Sequence, residues 1–140
     1  MVFATIADVE RYPDFLPGIV RARIVRREPG RWQVDNAFGK GPLQSRFLSH
    51  VELDPPTALI VRSDDGPWRR LEIRWRVRQE ERACLVFCDA TLDFRNLVLS
   101  ALARVAAAEM ERRVIAAFNA RFRMLASGGG DDRARLIGAE

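Results

Sequence analysis

The chain is poor in the side chains that bind metals or act as catalytic nucleophiles. It has one histidine, His50, and two cysteines, Cys84 and Cys88. A protein metal site needs several such residues at suitable spacing, so we expect no metal. The sequence also contains no nucleophile elbow and no glycine-rich phosphate loop. A hydrolytic enzyme is therefore not expected, and His50 is interpreted as a surface or strand histidine without a catalytic role.

Long hydrophobic segments are also missing. No run of 18 or more apolar residues occurs, so we expect no membrane-spanning helix. The N-terminus lacks a basic stretch followed by an apolar one, so we expect no secretory signal. The sequence predicts a cytoplasmic protein, with a peripheral position at the inner membrane as the alternative.

The two cysteines are too far apart along one strand to form a disulfide. Four residues of extended chain span about 13 Å at roughly 3.3 Å per residue. A disulfide requires Cα atoms closer than about 7 Å. We therefore interpret Cys84 and Cys88 as small buried hydrophobic residues in a reducing compartment.

Lysine is nearly absent, because Lys40 is the only one among 23 basic residues. With 19 acidic residues the net charge is +4, which favours anionic partners such as lipid headgroups or RNA. A basic protein without any anionic partner fits the same numbers equally well.

The hydrophobic pattern divides the chain into three parts. Residues 3–11 have helical spacing, and Pro13, Pro17 and Gly18 are expected to end that helix. Residues 19–95 alternate with period two and are broken by turn signals, which predicts about six antiparallel strands. Residues 97–125 return to helical spacing, with an apolar stripe along one side.

These elements predict an α+β fold in which a curved antiparallel sheet wraps around the long C-terminal helix. Only that helix is long enough to cover the apolar face of the sheet. The predicted domain covers residues 1–126. Because 127–130 reads Ser-Gly-Gly-Gly and 131–140 is polar, residues 127–140 are expected to form a flexible tail.

A curved sheet that cannot be filled by one helix is expected to leave an apolar cavity, which is the best candidate site in the sequence. Phe15 and Trp68 are expected near its entrance, with Leu16 beside Phe15 in the loop that closes one end. The remaining predicted lining residues come from the inward faces of the last two strands and of the helix: Leu71, Ile73, Trp75, Leu92, Phe94, Leu102, Met110, Val114 and Phe118.

A second candidate site is a basic stripe on the outward side of one strand. Arg74, Arg76 and Arg78 alternate with apolar residues, and Arg70 extends the stripe. The stripe could contact anionic lipid or ribosomal RNA phosphates. A solvated sheet face without a partner explains the same pattern, because outward strand positions are polar in any case.

Several linked motifs resemble one known family over most of the chain. "IADVERYPDFLP" resembles the start of the coenzyme Q-binding, START-like family of polyketide cyclase/dehydrase-type proteins. "LQSRFLSHVELDPP", "DGPWRRLEIRWRV", "LDFRNLVLSAL" and "VIAAFNARFRML" are similar to later segments of that family. The family includes ubiquinone chaperones and ribosome association toxins, and the resemblance implies the helix-grip fold.

The resemblance implies three functions. The first is non-enzymatic binding of ubiquinone or another prenyl lipid in support of respiration, with no other cofactor. The second is a ribosome association factor that binds the 50S subunit. The third and weakest is a polyketide cyclase or aromatase, which would need an acid–base pair inside the cavity, where the predicted lining is apolar.

Overall fold

A seven-stranded sheet and a long helix dominate the structure, a computed structural model that describes residues 2–126 and 134–138. The predicted helix-grip fold is confirmed, since a curved, mostly antiparallel sheet accompanies the long helix. The elements are α1 (Val2–Ala7), a 3₁₀ turn (Val9–Arg11), α2 (Tyr12–Phe15), β1 (Ile19–Glu28), β2 (Arg31–Lys40), β3 (Leu43–Asp54), β4 (Ala58–Ser63), β5 (Trp68–Gln79), β6 (Cys84–Phe94), α3 (Leu97–Ala126) and β7 (Ala134–Gly138).

The strands lie in the sheet in the order in which they occur in the chain. Each of β1 to β6 is antiparallel to the next, as short hairpin connections require. β7 pairs in parallel with β6 at the edge of the sheet. Side chains alternate between the inner face, which is turned toward α3, and the outer face.

The N-terminal helix differs from the prediction. The chain breaks at Asp8, and the helical spacing over 3–11 is divided between α1 and the 3₁₀ turn. Pro13 does not end a helix but lies in the first turn of α2. A proline is tolerated there because the first N–H groups of a helix have no partner within the helix.

The predicted flexible tail also differs from the structure in one part. Residues 134–138 form β7, in which Leu136 is only 1% exposed. The Oδ1 of Asn119 accepts the N–H of Leu136 at 2.8 Å, and its Nδ2 donates to the Leu136 carbonyl at 3.4 Å. Burial of one apolar side chain and these hydrogen bonds fix the strand. The rest of the predicted tail, 127–133 and 139–140, lies outside the described residues.

The aromatic core lies under the second half of α3. Phe118 has no exposed surface, and its ring centroid lies 4.8 Å from that of Trp75 on β5. Tyr12 and Phe15, from α2, contact the same ring at 5.6 and 5.1 Å, edge to face. This cluster joins the N-terminal helices, the sheet and α3.

Candidate functional site

α3 is attached to the inner face of the sheet at two separate places. At its start, the Oδ1 of Asn96 accepts the N–H groups of Val98 and Leu99 at 2.8 and 3.2 Å, which caps the helix. One turn later the Ser100 hydroxyl donates to the carbonyl of Phe94 at 3.2 Å. The second attachment is the packing of Phe118 described above. The stretch of helix between them spans the inner face of β6.

Between these attachments the helix and the sheet do not close on each other. Ala90 and Leu92 occupy inward positions of β6, yet both are exposed, Leu92 by 46%. On the helix, Ala107 lies three turns before Phe118 and on nearly the same side, and it too is exposed. Apolar groups that face each other across a packed core are normally buried. These apolar side chains are therefore open to solvent, whereas the sequence predicts an enclosed cavity; the surface between α3 and the inner face of β6 is called the groove from here on.

The predicted lining residues lie in different places around this groove. Leu71 is buried opposite Leu92 in the strand register, and Ile73 is half-buried opposite Ala90. Met110 is exposed beside the groove, whereas Val114 already packs against the core.

Leu102 lies outside the groove, contrary to the prediction. It precedes Phe118 by sixteen residues, which at 3.6 residues per turn places it on the opposite side of the helix. Its side chain is 59% exposed. The stripe from Leu102 to Phe118 advances in four steps of four residues. Each step passes one full turn by about 40°, so the stripe moves about 160° around the helix over these four steps.

The two residues expected near one entrance belong to different clusters. Trp68 packs against Phe38, Phe47 and Phe94, with ring centroids 5.5, 5.6 and 4.4 Å apart. This cluster lies at the end of the sheet where β6 leads into α3. Phe15 is at the other attachment, against Phe118, and Leu16 also packs on that core. The loop with Phe15 therefore seals the closed end of the groove.

Two polar residues on the inner face, Asn36 and Ser49, were not predicted from the sequence. Asn36 donates from Nδ2 to the Val34 carbonyl and to the hydroxyl of buried Ser49, both at 3.0 Å. The alternation that places Trp32, Val34 and Phe38 inward places Asn36 with them, so the signal was present in the sequence. These residues give an otherwise apolar wall a polar group near the Phe38–Trp68 cluster.

The ionisable side chains at the closed end of the groove stay neutral. Burial raises the pKa of Tyr12 far above its usual range, and its hydroxyl donates to the Ile6 carbonyl. Burial also raises the pKa of the Cys88 thiol to about 12. Neither group can act as an anionic ligand or nucleophile near neutral pH. Within the described ranges, no group of three or more His, Cys, Asp or Glu side chains could hold a metal ion.

The candidate acid–base residues lie on the outer face. His50 is an exposed outward residue of β3. Glu72 is buried on the outward side of β5, where Arg74, Arg70 and Arg62 donate to it at 3.0, 2.8 and 3.2 Å. The hydrogen bond from Arg74, with those from the other two arginines, holds the pKa of the Glu72 carboxyl below its usual range. The acid–base pair that a cyclase would need is not formed by these residues at the groove.

The same contacts show that arginines of the predicted basic stripe are paired with carboxylates. Arg70 and Arg74 share the carboxylate of Glu72, and Arg78 pairs with Glu80 at 2.9 Å. Arg76, the fourth predicted residue, also lies at an outward position of β5. Much of the positive charge of the stripe is thus neutralised within the sheet. No helix among the described residues has the length and apolar character needed to cross a membrane.

Comparison with known proteins places these features in a family. A profile for polyketide cyclase / dehydrase and lipid transport matches residues 1–119. The ribosome association toxin RatA of Pseudomonas aeruginosa is 27% identical over 101 residues, which cover 71% of this chain and 70% of that protein. The mitochondrial coenzyme Q-binding protein COQ10 homolog B of Xenopus laevis is 25% identical over 123 residues, 84% of this chain and 50% of that protein.

Among solved structures, the Zhui aromatase/cyclase from Streptomyces sp. R1128 superposes with a TM-score of 0.66. The match covers 92% of this chain and 89% of that chain at 17% identity, and it shows a common fold. The fold and the matched residues together show that the chain belongs to the START-like family of polyketide cyclase/dehydrase and lipid transport proteins.

Proposed function

We propose that the protein is a non-enzymatic carrier that binds a hydrophobic small molecule of the prenyl-quinone class in the groove under α3. The observation that carries this proposal is the exposure of Ala90 and Leu92 on the inner face of β6 and of Ala107 on α3. Apolar surface left open inside a fold gains free energy when an apolar ligand covers it. The coenzyme Q-binding name of one relative supports the ligand class.

The groove has the general make-up of a lipid site. Its walls are apolar, and Asn36 supplies one of the few polar groups that orient ligands in such sites. Each methylene of a prenyl chain buried there would contribute about 0.8 kcal/mol. Because α3 is fixed at both ends, the groove exists before the ligand arrives, so little free energy is spent on ordering the protein.

The direct test is to identify what the purified protein carries. Organic-solvent extracts are analysed by mass spectrometry, and the emptied protein is titrated with ubiquinone while its Tm is recorded. We expect a co-purified prenyl lipid and a rise in Tm that grows with ligand concentration. An empty protein whose Tm ignores ubiquinone and other prenyl lipids would refute the carrier proposal.

A pair of variants tests the location of the site. Leu92→Glu places a charge in the groove, and Leu48→Glu places the same charge at a 43% exposed leucine on the outer face of β3. Both leucines are already solvated, so we expect small and similar effects on Tm. Ubiquinone affinity should fall at least about tenfold, or 1.4 kcal/mol, for Leu92→Glu only. Equal affinities for the two variants would place the ligand elsewhere.

A second candidate function is association with the 50S ribosomal subunit. The ribosome association toxin relatives and the net charge of +4 favour it. Sedimentation with purified 50S subunits at low and high salt tests it. We expect co-sedimentation at low salt that high salt removes, because phosphate contacts are salt-sensitive. A protein that stays in the supernatant at low salt would contradict this candidate.

A further inference from the structure

The first half of α3 presents its apolar side to solvent rather than to the sheet. Val98, Leu102 and Val105 precede Phe118 by 20, 16 and 13 residues. At about 3.6 residues per turn, these spacings place all three on the side of the helix that is turned away from Phe118. Val98 is 67% exposed and Val105 is 86% exposed. A helix that packs on a sheet normally turns such side chains toward the core.

Polar side chains of the same stretch lie on the side that is turned toward the sheet. Ser100 precedes Phe118 by 18 residues, about five full turns, and its hydroxyl donates to the Phe94 carbonyl. Arg104 precedes Phe118 by 14 residues, which is close to four full turns. The amphipathic pattern of α3 is therefore inverted between its halves, because the second half buries Phe118 and Phe122.

The charged residues around this apolar side carry a positive excess. Within 97–108, Arg104 is the only charged residue, so no carboxylate has to leave water when the apolar side is covered. Glu109, one turn past Val105, is paired with two arginines that follow it. Residues 95–113 as a whole have a net charge of +2, from Arg95, Arg104, Arg112 and Arg113 against Glu109 and Glu111.

The size of the apolar side favours a lipid surface over a second copy of the chain. Its turns comprise residues 97–106, about ten residues, whereas a stable protein interface has about 20–30 residues on each side. A short helix needs no matching surface on a bilayer, because its apolar side enters the boundary between headgroups and acyl chains by about 5–10 Å. Arginines beside such a helix extend their charged ends to the lipid phosphates. No described helix could cross the bilayer, so the contact is with its surface.

We propose that the first half of α3 lies on the surface of an anionic lipid bilayer, with Val98, Leu102 and Val105 inserted among the lipids. The inner side of the same stretch borders the groove, so this contact places the groove beside the bilayer. The proposal does not depend on the carrier function, because vesicles that contain no quinone test it.

The test compares two double variants that replace the same residue type with the same charge. Val98→Glu with Val105→Glu changes the proposed contact surface. Val20→Glu with Val25→Glu is the control on β1, where the two valines are 45% and 48% exposed. Co-flotation with vesicles of phosphatidylglycerol and phosphatidylcholine in equal amounts measures the partition of each protein. Both pairs lower the net charge equally, and we expect the α3 pair to bind at least about tenfold more weakly than the β1 pair.

Two measurements on the wild-type protein locate the contact without any variant. Binding to pure phosphatidylcholine vesicles should be at least about fivefold weaker than binding to the mixed vesicles, because anionic lipid attracts the arginines. With the mixed vesicles, amide hydrogen exchange in 97–108 should slow at least about fivefold, while exchange in 134–138 stays unchanged.

Equal losses in the two variant pairs would show that only net charge matters, and they would overturn the proposal. So would a wild-type protein that ignores the mixed vesicles, one that binds both kinds of vesicle equally well, or exchange that slows only outside 97–108. Light scattering tests the alternative occupant: a wild-type dimer that Val98→Glu with Val105→Glu converts to a monomer would assign the surface to a second copy. Unchanged circular dichroism and Tm in both pairs exclude unfolding as the cause, and if a pair unfolds, the exchange measurement on wild-type protein decides.

Discussion

At the scale of single residues, Glu72 determines how several arginines on the outer face of β4 and β5 are paired. Its side chain is 11% exposed and lies among the guanidinium groups of Arg62, Arg70 and Arg74. Its pKa is held below the ordinary value of 4.5, mainly by the hydrogen bond from Arg74. One carboxylate thereby links three arginines of β4 and β5 in a single hydrogen-bonded network.

The lowered pKa predicts a stability that depends on pH. A carboxyl group that is more acidic when folded stabilises the protein above its unfolded pKa, and this contribution is lost as the pH falls through the folded pKa. Glu72→Gln should therefore have a lower Tm than wild type at pH 7, and the difference should shrink by pH 3. Thermal melts at both pH values measure this.

Glu80→Gln is the matched control, because Glu80 is exposed and makes one ion pair with Arg78. An exposed pair contributes little, so its Tm should change little at either pH. A constant Tm difference for Glu72→Gln across the whole range would contradict the assigned role.

At the scale of elements, α3 consists of two halves with different surroundings. Residues 97–113 are almost entirely exposed, whereas Phe118 and Phe122 in the second half are buried. The first half is held by its Asn96 cap and by Ser100 rather than by a packed face. With less packing, the first half is expected to open locally at a lower cost in free energy than the half around Phe118.

The edge strand β7 is hydrogen-bonded to one side chain of α3 in addition to its pairing with β6. Asn119 makes hydrogen bonds to both the N–H and the carbonyl of Leu136. Asn119→Ala should cost about 1 kcal/mol for each bond. We therefore expect amide hydrogen exchange in 134–138 to become at least about tenfold faster, while exchange in β4 stays unchanged. Unaltered exchange in β7 would show that pairing with β6 and burial of Leu136 hold the strand without Asn119.

At the scale of the whole molecule, the aromatic cluster around Phe118 connects segments that are far apart in the chain. Tyr12 and Phe15 come from α2, Trp75 from the sheet, and Phe122 from the same helix as Phe118. The groove lies beside this cluster and does not interrupt it. The packed aromatic side chains and the exposed apolar residues are therefore located in different halves of α3.

Phe118→Ala should destabilise the whole protein. Truncating a fully buried phenylalanine costs about 3–5 kcal/mol, a large share of the roughly 5–15 kcal/mol by which domains are stable. Phe118→Leu keeps most of the volume and should cost less than about 1.5 kcal/mol. Urea unfolding followed by tryptophan fluorescence measures both. A separate early transition of α2 would contradict the single cooperative cluster.

Much of the fold could be predicted because its signals are local. The alternation of Leu71, Ile73 and Trp75 with arginines predicts a strand and its faces, whatever lies opposite. The helical stripe likewise predicts α3, and the linked motifs predict the family. Leu136 was missed because so short an apolar stretch, Leu136 and Ile137 beside charged residues, carries too weak a periodic signal.

The candidate site could be predicted only in part, because it depends on distances between elements. The inward positions of Leu92 and Phe94 follow from alternation, but their exposure follows from how far α3 stands from β6. The side of the helix that carries Leu102 depends on twist accumulated over several turns.

By itself the sequence determined which elements form, in which order, and which face of each strand points inward, since these follow from periods of two and 3.6 residues. Only the tertiary structure decided that the space under α3 is an open groove. It also decided that the single carboxylate of Glu72 contacts Arg62, Arg70 and Arg74 at once. Gaps and ion pairs are set by distances between side chains far apart in the chain, which no local pattern encodes.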